Sequence, residues 1–178
     1  MAGRFRTLKA DEIECRVSQI VETKKGVGVI LLLYKDARTD ANLLDEFMGQ
    51  DGWQCKFYEC KGNLFCSVGL KIGDEWLWKD DCGAESNTER QKGEASDAFK
   101  RACFKWGLGR ELYTAPLIWI EKEDCEKIFQ DNGKWKCYDK FKVRLIEYNN
   151  GSISKLVIDN NHGIVVYSYD ENNYGKTR

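Results

Sequence analysis

The 178-residue chain is predicted to be an α+β protein. The expected architecture is a twisted antiparallel β-sheet with a long amphipathic helix packed across one face, a β-β-β-α core, followed by a C-terminal β-meander. Three observations predict it. From Trp53 to Cys82 apolar residues recur with a period of two, as in strands with one buried face. From Glu94 to Trp106 the period becomes helical, and Ala95, Ala98, Phe99, Ala102, Cys103 and Trp106 gather on one side. Helix-like and strand-like stretches are also segregated rather than alternating, which favours α+β over a doubly wound sheet.

The elements follow in order. Residues 8–24 place Ile13, Val17, Ile20 and Val21 on one side and read as a short helix. Val27 to Tyr34 is an apolar run of strand length. Thr39 to Met48 reads as a second short helix, stopped by Gly49. Leu64, Cys66, Val68, Leu70 and Ile72 then alternate with Phe65, Ser67, Gly69 and Lys71. Lys61-Gly62-Asn63 and Gly73-Asp74 supply hairpin turns on either side, and Trp76 to Cys82 is the third strand. Thr88 and Gln91 are spaced as a capping box for the long helix. Gly93 either lies inside that helix, at about 1 kcal/mol relative to alanine, or marks its start. Gly107-Leu108-Gly109 stops it.

Beyond Pro116, Leu117 to Ile120 is a strand. Phe141, Val143 and Leu145 begin an alternating segment. Turns at Asn150-Gly151 and Asn161-His162-Gly163 lead into Ile153–Ile158 and Ile164–Tyr169, completing the meander. The length suits one domain over 1–178, with a core at 34–120, the meander at 134–169 as an appendage, and a polar tail from Asp170.

Composition narrows the function. The formal net charge is −1, so no global field draws the chain to nucleic acid. Charge is nevertheless segregated: Arg90–Arg110 holds six cations against two acids, and Glu121–Asp131 holds five acids against two lysines. That pattern suits a basic groove on a nearly neutral protein, or a basic face meeting an acidic face of the next subunit. The eight cysteines fall within regular patterns and no secretory signal precedes them, so free thiols in a reducing cytoplasm are expected. There is no Cys-x-x-Cys, and the single histidine, His162, lies in a turn, so neither a metal nor another cofactor is expected. The longest apolar run has eight residues, far short of the about 20 that cross a bilayer. No membrane association is expected.

Catalytic motifs do not assemble. Gly175-Lys176-Thr177 resembles the end of a phosphate-binding loop, but Asp170 stands where its first glycine belongs. Gly107-Leu108-Gly109 lacks the third glycine of a dinucleotide fingerprint. The enzymatic alternative is a metal-dependent nuclease using Glu59 and Lys61 with Asp45 or Asp51. In a chain this rich in acids such spacing arises easily by chance, so a non-enzymatic protein is expected.

The long helix also carries a polar face. Lys100 and Phe104 stand four residues apart, as do Arg101 and Lys105. Cations beside an exposed aromatic suit a partner with phosphates and flat bases. A solvated surface helix, with Asp97 and Arg101 as an ordinary ion pair, is the plainer alternative.

Particular words sharpen the choice. Asp97-Ala-Phe-Lys-Arg-Ala102, an aromatic, Gly107 and Glu111-Leu-Tyr113 follow Asp36-Ala-Arg38, Leu43-Leu-Asp-Glu-Phe-Met-Gly49, Asp51-Gly-Trp53 and Asp81-Cys-Gly83. In this order, over Tyr34 to Tyr113, they resemble the Rad fifty-two-like single-strand annealing proteins, most closely the phage Sak and bacterial DdrA-like branches. The resemblance implies a homo-oligomeric ring or helical arc in the cytoplasm of a bacterial host, encoded by a phage or prophage. It implies ATP-independent binding and annealing of single-stranded DNA in recombination and repair. A single-strand-binding protein or a recombinase is a further candidate partner. It places backbone contacts at Arg38, Lys100 and Arg101, with Lys105, Lys35, Phe104 and Arg110 as additional DNA-binding positions. Phe104 departs from the family, which often has a cation there. A second, outer DNA site would then be weak or would use Lys105, and Phe104 would equally suit a subunit interface. A module that coats single strands without annealing them is the alternative within the same resemblance.

Overall fold

The computed structural model describes residues 5–24, 26–84 and 90–173, except the side chains of 90–92. In chain order the elements are β1 (Glu14–Thr23), β2 (Gly26–Tyr34), α1 (Ala37–Met48), β3 (Trp53–Cys60), β4 (Asn63–Ile72), β5 (Glu75–Cys82) and α2 (Arg90–Trp106). They continue with β6 (Ile118–Glu121), β7 (Ile128–Asp131), β8 (Lys134–Cys137), β9 (Lys142–Asn149), β10 (Ser152–Asp159) and β11 (Val165–Asp170). The class is α+β, with antiparallel pairing throughout the described strands. Two compact units result, Met1–Arg6 with Lys35–Arg110, and Thr7–Tyr34 with Glu111–Arg178.

The expected helix over residues 8–24 is instead a single 3-10 turn at Ala10–Glu12 followed by strand β1. The reason is a bulge. The β1–β2 register shifts between Val17 and Gln19, so half-buried positions fall at Cys15 and Val17, then at Ile20 and Val21. One extra residue turns a period of two into something that imitates a helical stripe. Its neighbour β2 is buried along Val27, Val29, Leu31 and Leu33. These strands belong to a six-stranded sheet ordered β11-β10-β9-β1-β2-β6, which β9–β11 enter through the Glu14–Lys142 pair. Ile118, Ile120, Val143, Ile153, Leu156 and Ile158 complete its buried apolar set. The entering chain is tied to this unit twice: the Leu8 N–H donates to Glu111 Oε1 (2.8 Å), and Tyr148 Oη donates to the Leu8 carbonyl (2.8 Å).

In the other unit β3, β4 and β5 form a three-stranded sheet, and α2 packs on β4 and β5. The apolar stripe Ala98, Phe99, Ala102 and Cys103 is buried, as are Cys66, Val68 and Leu70 of β4. Fully burying a Val or Leu side chain contributes about 1.5–3 kcal/mol, so this seam outweighs the about 1 kcal/mol that Gly93 costs within α2. Trp106 fixes the register, donating its indole N–H to the Val68 carbonyl at 2.9 Å. Gly83 lets the helix come close: a Cβ there would lie 2.1 Å from the Glu94 carbonyl oxygen. Helix α1 starts where the Asp36 carboxylate accepts the Thr39 N–H (2.8 Å) and ends at Gly49, whose φ is 74°. The capping pair Thr88 and Gln91 and the tail beyond Asn173 lie outside the described residues and side chains.

Candidate nucleic-acid interface

All seven sequence-derived positions, Arg38, Lys35, Lys100, Arg101, Phe104, Lys105 and Arg110, fall within the unit formed by α1, β3–β5 and α2. They divide into two charge clusters. The first joins α1 to α2 around Asp40, which is fully buried. Lys35, itself buried, places its ammonium on Asp40 Oδ2, while Asp40 Oδ1 has no hydrogen-bond partner in the structure. Burial pushes the Asp40 carboxyl up to about 6, against the opposing pull of Lys35 and Lys100. Lys35 therefore spends its charge inside the fold. Its stem also lies against the Gly107–Gly109 stop: Gly109 has φ +69°, and a Cβ there would sit 2.2 Å from Lys35 Cε. Arg38 stands at the exposed edge of this cluster, its side chain 92% accessible, with Asp36 at 4.0 Å. Lys100 is half-buried and acts electrostatically on Asp40 from α2.

The second cluster lies on the other flank of α2. Arg101 reaches Asp81 Oδ1 at 3.3 Å, and Lys105 reaches Asp81 Oδ2 at 3.5 Å. Burial opposes ionisation of Asp81, but the Cys82 N–H and the charges of Arg101 and Lys105 together hold its carboxyl below the usual value. Asp97 is turned elsewhere, accepting the Ala84 N–H at 3.0 Å. The pair that sequence spacing suggested for Arg101 is thus replaced by one from a neighbouring strand.

The last turn of α2 uses further cations. Arg110 donates from Nε to the Phe104 carbonyl (2.8 Å) and from Nη2 to the Lys105 carbonyl (2.7 Å), while its guanidinium lies over the Phe104 ring at 5.4 Å. Lys79 donates to the Lys105 carbonyl at 3.0 Å and places its ammonium 4.2 Å above the Trp106 ring. These contacts add donors to carbonyls at the helix C-terminus, where the Phe104 carbonyl also accepts the Gly107 N–H at 3.0 Å, and complement the negative end of the helix dipole. Sequence reading missed Lys79, Asp81 and Asp40. The strand alternation placed Lys79 and Asp81 on the helix-facing side of β5, and that was the available signal. Asp40 had none beyond its position on α1.

The residues of the nuclease alternative have settings of their own. Asp45 accepts the Trp53 indole N–H at 2.6 Å, and Glu59 lies exposed on β3. Among the described residues, no group of three or more His, Cys, Asp or Glu side chains close enough to share an ion includes Asp45, Asp51 or Glu59.

Comparison with known families decides the kinship. The family model for the Rad52/22 double-strand break repair proteins matches residues 6–127, more than half of the chain. The chain belongs to the Rad52/22 family. Among curated proteins it is 28% identical over 109 residues to the single-stranded DNA-binding protein DdrA of Deinococcus deserti, covering 60% of this chain and 54% of that protein. It is 29% identical over 100 residues to the protein of the same name in Deinococcus radiodurans, covering 55% of this chain and 48% of that one. The match thus spans about half the length of these DdrA proteins. Both charge clusters, from Lys35 to Arg110, lie inside the segment that matches the family model.

Proposed function

We propose that this chain binds single-stranded DNA through the basic rim made by α1 and α2, and anneals complementary strands without ATP as a homo-oligomeric ring or arc. The observation that carries the reading is the joint placement of Arg38 and Lys100 around Asp36 and Asp40 in a Rad52/22-family chain. Lys100 thereby acts on buried Asp40 from α2, while Arg38 stands exposed beside Asp36 at the start of α1. The name of the DdrA relatives supports the single-stranded DNA part. We read β3–β5 and α2 as the family's β-β-β-α annealing core, working with the rest of the chain as one domain.

The chemistry is charge neutralisation. Arg38 and Lys100 meet phosphates, Arg101 and Lys105 join by sharing Asp81, and Arg110 over Phe104 closes the row. Lys35 acts from beneath, through Asp40. Contacts to phosphate leave base edges open, which pairing of two strands requires. Such binding varies little with sequence and weakens with salt at a slope of about −0.7 per neutralised phosphate. Action in the cytoplasm of a bacterial host, on a phage or prophage programme and beside a recombinase or a single-strand-binding protein, is part of the same proposal. Among the described residues no helix is long and apolar enough to cross a membrane.

A salt titration of oligonucleotide anisotropy tests the site. Arg38→Ala should weaken binding and make the slope shallower by about 0.7, with particle mass unchanged. An unchanged slope and affinity in an intact particle would place the DNA elsewhere. A second reading, coating without annealing, is favoured by the name of the DdrA relatives, which speaks of binding alone. Pairing of two complementary oligonucleotides at matched occupancy separates the two: acceleration supports annealing, and no acceleration supports coating.

A further inference from the structure

The base of the β7–β8 hairpin gathers groups that the DNA reading does not use. Cys125 follows the 3-10 turn Lys122–Asp124, and Cys137 ends β8 opposite Ile128. Asp139 is buried, with its carboxylate oxygens accepting the N–H groups of Glu126 (3.1 Å) and Lys127 (2.8 Å). Cys137 Sγ lies 3.3 Å from Asp139 Oδ2. The Cys125 and Cys137 sulfurs and an Asp139 oxygen all lie within 4.8 Å of one another.

We propose that Cys125, Cys137 and Asp139 form a site for a thiophilic divalent cation of the Zn2+ class. Two thiolates and one carboxylate are a donor set that such an ion accepts, with a fourth position for water. A tetrahedral ion with Zn–S bonds of about 2.3 Å sets its ligand atoms about 3.8 Å apart. The three atoms therefore need to close by no more than about an ångström, within the reach of side-chain rotation. The carboxylate keeps acceptor capacity, since each oxygen has two lone pairs and the backbone contacts leave some of these open.

The position gives such an ion a structural purpose. Strands β7 and β8 have four residues each and pair only with one another. They turn at Asn132-Gly133, with φ of 48° and 74°. A two-stranded hairpin is marginal by itself in water. At its tip end it is held by Trp135, which donates its indole N–H to Glu22 Oε2 (3.1 Å) beneath the Lys122 ammonium, 4.7 Å from the ring. An ion joining Cys125, three residues ahead of β7, to the end of β8 would clamp the open end. The two cysteines are twelve positions apart, so no tight ligand pair marks the site in the sequence.

The test is a titration of the reduced full-length chain with Co2+ in the absence of air, followed by competition with Zn2+. The expected result is a thiolate-to-cobalt charge-transfer band that saturates at one ion per chain and disappears on adding Zn2+. Cys125→Ser and Cys137→Ser should each lose the band, while Cys55→Ser, which removes an exposed thiol on β3, should keep it. Zn2+ should raise the thermal midpoint of the unaltered chain and leave that of Cys125→Ser where it is. Absence of the band overturns the proposal, as does its survival in both site variants. A Cys125–Cys137 disulfide formed in air, together with no cobalt band in the reduced chain, would assign the pair to redox chemistry and likewise overturn it.

Discussion

Asp81→Asn should make this protein bind single-stranded DNA more tightly. Asp81 accepts both Arg101 (3.3 Å) and Lys105 (3.5 Å), whose side chains are 53% and 47% exposed. A half-exposed ion pair contributes about 0.2–1 kcal/mol after screening. Removing both attractions therefore makes up to about 0.4–2 kcal/mol available to contacts with phosphate, a gain of up to about twofold to thirtyfold in affinity. Lys105 still donates to the Asp80 carbonyl until DNA draws it away. If both cations then reach DNA, the salt slope should steepen by up to about 1.4. The change is isosteric, and an amide oxygen can still accept the Cys82 N–H that Asp81 Oδ1 accepts at 2.9 Å. The fold should lose no more than the same about 0.4–2 kcal/mol. Anisotropy titrations at several salt concentrations measure the effect. Asp74→Asn, in the turn between β4 and β5, makes the same change in net charge away from the rim and serves as control. Equal gains from both substitutions would reduce the effect to net charge. Unchanged or weaker binding by a folded Asp81→Asn protein would refute the idea that Asp81 restrains a DNA-binding pair.

Two other perturbations probe the scaffold. Asp40 is held above the usual carboxylate value, at about 6 rather than 3.8, so the folded state binds the proton more tightly than the unfolded chain does. Its contribution to stability should be greatest below about pH 4 and should fall as pH rises to about 6; denaturant midpoints across that window should show a downward component that Asp40→Asn lacks. Gly83→Ala would drive a methyl group to 2.1 Å from the Glu94 carbonyl and displace α2 from β5. A loss of about 1–3 kcal/mol is expected, and an unchanged urea midpoint would mean that α2 does not approach the strand so closely.

The sequence made local order legible and left long-range pairing hidden. The stripe from Ala98 to Cys103 was readable because a helix buries residues at fixed spacing, whatever lies opposite. The strand β1 was misread because the bulge at Val17–Gln19 breaks the alternation that identifies strands. The β7–β8 hairpin was missed although Asn132-Gly133 carries a strong turn signal, since four-residue strands leave almost no periodicity to detect. Cations could be picked out as residue types, but their partners could not. Whether Arg101 turns to Asp97 on its own helix or to Asp81 on β5 depends on packing that brings a strand twenty residues away alongside. Lys35 is likewise among the expected DNA-binding positions, and only the depth of Asp40 shows why it turns inward.

The strand order β11-β10-β9-β1-β2-β6 has a consequence for synthesis. The first two strands of that sheet emerge early, while their neighbours β6 and β9 come only after the whole α1-to-α2 unit. Some ~80 residues separate Tyr34 from Ile118. At translation rates of about 5–20 residues per second, that interval lasts about 4–16 s. During it the β1–β2 hairpin presents bare edges, one of them running beside Val29 and Leu31, to whatever else is in the cell. Nascent chains on neighbouring ribosomes carry the same hairpin, so crowded translation would favour strand exchange between copies unless the intervening unit folds promptly and shortens the wait.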